Sequence, residues 1–179
     1  VKKVKSHVKP SKVGHAGSLD PFAEGVLILC VGKKTKSVES LMNHEKEYIA
    51  TIQLGSETNT LDTEGEIINR ADIPLLTKID IQKKLDLFIG ETEQIPPMYS
   101  ALKVNGKRLY ELARKGIIID RKPRIISISK IELLELNEDS FKFKVNCSRG
   151  TYVRVLASDI AKSLNTIGFL KSLVRTKVG

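Results

Sequence analysis

At 179 residues the chain has room for one domain with appendages or two small ones, and its 41% hydrophobic and 28% charged residues are the balance of a globular protein. No apolar run approaches membrane-spanning length and the two cysteines form no CxxC, which excludes a helical membrane protein and a cysteine-clamped metal site. The formal net charge of +9 points to a polyanionic partner.

That charge is unevenly placed. Residues 1–38 carry eight Lys/Arg against two acids and residues 95–179 carry seventeen against seven, whereas residues 39–94 carry five against twelve. A basic face with an acidic back accounts for the asymmetry better than a uniformly solubilising surface. Trp is absent and aromatics are 5%, so the core must rest on Ile, Leu and Val. Cys30 and Cys147 lie among apolar neighbours and read as buried thiols, while His7, His15 and His44 are too scattered for a metal site. With no apolar signal segment at the start, the expected compartment is the cytoplasm. A first residue other than Met and a last residue Gly179 suggest a piece of a longer protein.

Val1 to Lys12 holds five lysines and no acid, which suits either a solvated run or a phosphate-contacting arm. From Gly14 to Leu27 the chain reads Gly-His-Ala-Gly-Ser-Leu-Asp-Pro-Phe-Ala-Glu-Gly-Val-Leu, and its glycines and proline deny it a regular helix or strand. Gly14 and Gly17 permit positive φ, and Pro21 pushes Asp20 toward an extended conformation. The spacing predicts a sharply turned loop presenting one imidazole, His15, and one carboxylate, Asp20. Composition alone favours an ordinary turn in which Asp20 bonds its own backbone. The loop runs into Val26–Val31, an apolar run of strand length. Gly32-Lys33-Lys34-Thr35 invites a phosphate-binding-loop reading, but Gly25 lies seven residues before Gly32 rather than five, so that reading is rejected.

Ser37 to His44 suits a short helix. Tyr48, Ala50, Ile52 and Leu54 then alternate with Ile49, Thr51 and Gln53 as a strand with one apolar face. Thr58 to Gly65 is a polar loop ending in a turn signal, in which Asp62 is expected to orient backbone. Ile81, Leu85, Phe88 and Ile89 sit at helical spacing within Ile79–Ile89, with Gly90 as the C-cap. From Lys103 to Arg124 come eight basic residues, with Tyr99 and Tyr110 close by and a turn at Asn105-Gly106. Such a mixture suits a loop that grips RNA backbone and stacks bases; a solvated hairpin is the plainer alternative.

A helix from Leu109 to Lys115 is expected to stop at Gly116. Ile125 to Leu136 is β-rich, with a slip in alternation near Lys130 that marks a bulge. Phe141, Phe143, Val145 and Cys147 define a half-buried strand. Thr151 is the expected N-cap of a helix burying Val153, Leu156, Ala157, Ile160 and Leu164, with Tyr152 and Arg154 in its first turn off that stripe. Phe169 to Val178 reads as a last strand. Strands outnumber crossover-length helices, so the expected class is α+β, a mainly antiparallel mixed sheet flanked by helices.

Gly14–Leu27 resembles the catalytic loop of the TruB-type pseudouridine synthases, Gly-His-Thr-Gly-x-Leu-Asp-Pro-x-Ala-x-Gly-x-Leu, departing at Ala16 where Thr is usual. The resemblance continues in order through Lys46-Glu47-Tyr48, Thr58 to Gly65, Met98-Tyr99-Ser100-Ala101-Leu102-Lys103, Cys147 to Arg154 and Leu173-Val174-Arg175-Thr176. It implies a catalytic domain over residues 1–179 with an RNA-gripping insertion at about 95–124. On the same ground the family's upstream strand and any C-terminal RNA-binding domain lie outside this chain.

The family isomerises uridine to pseudouridine in RNA, detaching uracil from C1′ and rejoining it through C5, without cofactor or metal. By resemblance the substrate is tRNA, at position 55 of the T-arm, and the enzyme is a monomer needing no protein partner. Asp20 is then the catalytic carboxylate, Arg154 its cationic partner and Tyr48 the ring that stacks on the flipped base. His15, Tyr152, Leu173, Lys103 and Arg149 are implied substrate contacts. A carboxylate can attack the sugar carbon or assist proton abstraction at C2′, and the residues do not choose between them. Burial would raise its pKa, so a cationic partner is needed. Two rivals are a guide-RNA-dependent paralogue and a non-catalytic RNA-binding module; the trio Asp20, Tyr48 and Arg154 speaks against the second.

Overall fold

The computed structural model describes residues 1–104 and 106–179; Asn105, half of the expected Asn-Gly turn, lies outside the described residues. The chain opens with α1 (Lys2–His7), then β1 (Val13–His15), β2 (Glu24–Gly25) and β3 (Leu29–Val31), followed by a 3-10 turn over Gly32–Ser37 and α2 (Val38–Asn43). β1 and β3 pair antiparallel, with His15 opposite Leu29. The loop expected to lack strand thus departs from one. Gly14 takes no positive φ; it is small because a Cβ there would lie 3.1 Å from Val38 Cγ2. Gly17 does turn left-handed, at φ 93°. Only Leu29–Val31 of the apolar run 26–31 is a β3 strand, because the Val26 amide is already engaged with the Arg175 carbonyl at 2.8 Å.

The remaining elements are β4 (Lys46–Leu54), β5 (Ser56–Thr58), β6 (Ile67–Arg70), α3 (Lys78–Asp86), β7 (Gly90–Gln94), β8 (Lys103–Val104), β9 (Lys107–Arg108), α4 (Leu109–Ala113), β10 (Arg124–Leu136), β11 (Ser140–Cys147), α5 (Val153–Ser163) and β12 (Gly168–Val178). A six-stranded sheet runs β2-β12-β4-β11-β10-β7. Its neighbours are antiparallel except β2 and β12, which are parallel. The α+β class and mixed sheet follow the sequence. β4 alternates as its residues dictate, burying Tyr48, Ala50, Ile52 and Leu54. Phe141, Phe143 and Val145 of β11 join them in one core with Ile81 and Leu85 of α3 and Leu156, Ala157 and Ile160 of α5. The expected slip in β10 is a register shift between Ile128 and Lys130.

A second shift was not legible. β12 slips between Leu170 and Ser172 against β4. Before it the buried residues are Gly168 and Leu170, and after it Leu173 and Arg175, so the buried positions change from even to odd. That extra residue puts Leu173 and Arg175 on the face that carries Tyr48.

Helix ends differ from expectation for local reasons. α3 ends at Asp86, short of Gly90, and begins with a reciprocal capping box between Thr77 and Asp80. α4 ends at Ala113 rather than Lys115, because the backbone tightens into turns toward Gly116 at φ 71°. The N-cap of α5 is Tyr152, not Thr151. Thr151 turns its hydroxyl back to the Ser148 carbonyl at 3.0 Å. The buried Gln94 brackets the start of α5 instead, accepting from the Tyr152 amide at 2.8 Å and donating to its carbonyl at 3.2 Å.

Candidate active site

Arg154 stands in the first turn of α5 and is 3% exposed, which corrects the reading that placed it off the buried stripe. A buried guanidinium must find acceptors for five N–H bonds. Arg154 makes four hydrogen bonds and one further ion-pair contact. Nε donates to Asp20 Oδ2 at 2.8 Å and Nη2 to Asp20 Oδ1 at 3.2 Å, a two-pronged pair across 134 positions of sequence. Nη2 also donates to the Tyr99 carbonyl and Nη1 to the Thr60 carbonyl, each at 2.9 Å. Nη1 lies 3.1 Å from Asp62 Oδ2 as well. Three separate segments, the 14–27 loop, the 58–65 loop and the head of the insertion, therefore meet on one side chain.

The carboxylates differ in access. The Asp20 side chain is 32% exposed, that of Asp62 only 4%. Asp62 Oδ1 is also taken up by the Thr60 hydroxyl at 2.6 Å and the Glu64 amide at 3.0 Å. Burial raises the Asp20 pKa above its ordinary 3.8; the charge and hydrogen bonds of Arg154 pull it back, and the Asp62 charge adds to the rise. Asp20 is the ion held open to a reactant, and Asp62 is sealed behind it.

Beneath the loop lie Tyr48 (9% exposed) and Leu173 (6%). Tyr48 stands opposite Arg175 and Leu173 opposite Ala50 on the β4–β12 ladder, so all three side chains share a face. Burial raises the phenol pKa of Tyr48, the adjacent Arg175 opposes that, and the Asp20 charge adds to the rise. Apolar side chains beside an accessible carboxylate can hold a planar ring and place its attached carbon against an anion.

A model of TruB family pseudouridylate synthases (N-terminal domain) matches residues 5–153. The chain belongs to the TruB family. Along its whole length it is 53% identical to the tRNA pseudouridine synthase B of Francisella philomiragia, covering 60% of that protein. It is 50% identical to the protein of that name from Bacteroides fragilis, over 96% of this chain and 74% of that protein. For Clostridium kluyveri the identity is 49%, covering all of this chain and 62% of that protein. The chain thus spans three fifths to three quarters of the length of these relatives. Among solved structures it superposes on a chain of a Cbf5-Nop10-Gar1 complex with TM-score 0.74 and 29% identity, covering 99% of this chain and 44% of that one. For an H/ACA RNP bound to a substrate RNA containing 2′-deoxyuridine the TM-score is 0.70 at 25% identity, covering 99% of this chain and 42% of that one.

Within this TruB-family fold, Asp20, Arg154, Tyr48 and Leu173 come together as their motifs imply. Tyr152 is half-buried at the head of α5, and half-buried His15 opens the loop with its Nδ1 buried and without a hydrogen-bond partner. Arg149 is not gathered in: it is exposed and reaches α2, donating to Glu39 and Asn43. Lys103 is exposed on the β8–β9 hairpin. In that insertion Arg108 and Arg114 lie 5.8 and 5.5 Å from the Tyr110 ring centroid, so arginines already occupy the ring expected to stack bases.

Two buried groups escaped the sequence reading. Asp62, expected only to orient backbone, does so and also pairs with Arg154. Arg175 is 1% exposed, bound to carbonyls of the Asp20 loop. Alternation along β12 was the one available signal for it, and the bulge scrambled that signal.

Proposed function

We propose that this chain is the catalytic part of an enzyme that isomerises uridine to pseudouridine in tRNA, at position 55 of the T-arm. The observation that carries the reading is the two-pronged Asp20–Arg154 pair, at 2.8 and 3.2 Å, with the carboxylate open above Tyr48 and Leu173. The names of the relatives at about half identity support tRNA as the substrate.

On this reading the target nucleotide leaves its stack and its uracil lies against Tyr48 and Leu173. The N1–C1′ bond breaks, the freed uracil turns, and C5 bonds to C1′; the proton leaves C5 and N1 ends protonated. Asp20 acts on the sugar as an ion, at C1′ or through the C2′ proton, and both routes need it unprotonated and aimed. Arg154 supplies the aim and offsets the desolvation that raises the Asp20 pKa. The insertion, with its arginines stacked on Tyr110, supplies cationic contacts to the RNA backbone. The reading takes the enzyme as a cytoplasmic monomer acting without cofactor or protein partner.

Incubation with an unmodified tRNA transcript, followed by nucleoside analysis, tests it. Pseudouridine at the T-arm site with wild-type protein is expected, and its absence overturns the reading. Product that forms only with added guide RNA and partner proteins would move the chain to an assembly like the H/ACA RNP.

A further inference from the structure

Arg175 heads the fully buried side chains in size, yet none of the ion pairs among the described residues includes it. Its guanidinium is met by carbonyls. Nε donates to Val26 O at 2.7 Å, Nη2 to Gly17 O at 3.1 Å and Nη1 reaches Ser18 O at 3.5 Å. Those acceptors stand on both limbs of the loop, before and after Asp20. The backbone of Arg175 joins in: its carbonyl accepts from the Val26 amide at 2.8 Å, and it pairs with Gly25 in the parallel β2–β12 contact. The approach is so close that a Cβ on Gly25 would fall 2.2 Å from the Arg175 oxygen. On its other side Arg175 faces the Tyr48 phenol across the ladder.

A buried cation without a counter-ion is costly, and an apolar residue of similar size would hold β12 in the core at least as well. What an apolar residue cannot do is grip diverging carbonyls on two limbs of a loop. Lysine, a point charge on a flexible stem, reproduces the fan poorly. We propose that Arg175 is a positioning residue that fixes the separation between the Asp20 loop and the Tyr48 side chain, acting through the loop carbonyls rather than by touching substrate. The proposal rests on the reading of Asp20 and Tyr48 as the working pair.

Arg175→Lys and Gly17→Ala test it together. The first keeps the charge and loses the fan. The second keeps the guanidinium and displaces the loop from it, since an alanine at φ 93° is strained and its Cβ would sit 3.4 Å from Nη1. Three readouts on an unmodified tRNA transcript are needed: single-turnover rate at saturating enzyme, tRNA dissociation constant, and hydrogen exchange of the peptides spanning residues 14–27 and 46–54. In both variants the rate should fall about thirty- to a hundredfold, as an ångström-scale misplacement implies. The dissociation constant should stay within about threefold, and exchange should quicken in 14–27 but not in 46–54. A near wild-type rate in either folded variant overturns the proposal, as does a slow variant whose loop exchange is unchanged. If Arg175→Lys does not fold, Gly17→Ala decides alone. If wild-type protein makes no pseudouridine, the functional reading fails, and loop exchange still decides whether Arg175 holds the loop.

Discussion

Two loops offer a carboxylate to the same guanidinium, and they are built on opposite terms. The 14–27 loop is tied to the sheet at its limbs and leaves Asp20 about one-third exposed. The 58–65 loop is bonded mainly within itself and meets the sheet where its Leu61 carbonyl accepts from the Leu170 amide at 3.0 Å. Leu61 takes a left-handed φ of 63°, a conformation that costs a branched-chain residue energy, and Gly65 packs so tightly that a Cβ would meet the Thr60 hydroxyl at 2.3 Å. Its Asp62 is sealed, with Oδ1 spent on Thr60 and Glu64 and Oδ2 on Arg154. Identical chemistry thus yields two parts, a carboxylate free to react and one that braces the cation aiming it. What separates them is access and the number of bonds already made.

Replacing Asp20 by Asn should draw that contrast most sharply. Single-turnover conversion of tRNA should fall at least about 1,000-fold, roughly 4 kcal/mol of barrier, with tRNA affinity nearly unchanged. Appreciable turnover in a folded Asp20→Asn protein would remove the accessible carboxylate from the chemistry.

Arg154→Lys tests the part the loops share. Lysine cannot span five acceptors, so the variant should fold and bind tRNA but lose about a hundredfold in rate. Wild-type turnover would mean that the two-pronged grip is dispensable.

Asp62→Asn should invert the balance seen at Asp20. The rate is expected to drop only about tenfold, because Thr60 O and Asp20 still hold Arg154. Thermal unfolding should reveal a loss of about 1–3 kcal/mol, since a buried, hydrogen-bonded ion has been weakened. A rate loss as large as that of Asp20→Asn, without loss of stability, would erase the distinction between the loops.

The smallest effect is in pH dependence. Burial holds the Asp20 pKa above 3.8, so the acid limb of the rate profile should lie above that value. The Asp62 charge contributes to the rise, so Asp62→Asn should move the limb to lower pH. For stability the sign is set by a folded-state pKa above the unfolded one: the folded protein holds the proton longer. The Asp20 contribution is therefore fully present below the ordinary carboxylate range and is lost as pH rises through the folded pKa. Wild type should lose ground against Asp20→Asn over that interval in urea titrations, and a gain would mean that Arg154 outweighs burial.

Much of this was legible in the residues because it is local. Alternation fixed β4 and β11, helical spacing fixed α5, and a glycine-bracketed Asp-Pro marked the exposed loop. Asp62 was opaque for the same reason it is effective. Its loop signals only a turn, and its tie to Arg154 spans the fold. The partners of Arg149 were equally hidden: its place in a motif says nothing of direction, and in the fold it donates to Glu39 and Asn43 of α2. Gln94 carried no signal either, since its bonds to Tyr152 exist only once β7 lies beside the head of α5.

The slip in β12 between Leu170 and Ser172 works like a frame shift written in space. Upstream of it the strand spells the core, and downstream the same alternation spells the site. Indels in this strand are therefore not interchangeable. Removing one residue at the slip would erase the bulge and keep Leu170, Leu173 and Arg175 all inside. Removing both Lys171 and Ser172 would instead turn Leu173 and Arg175 out to water. The core would survive the double deletion, and the site would not.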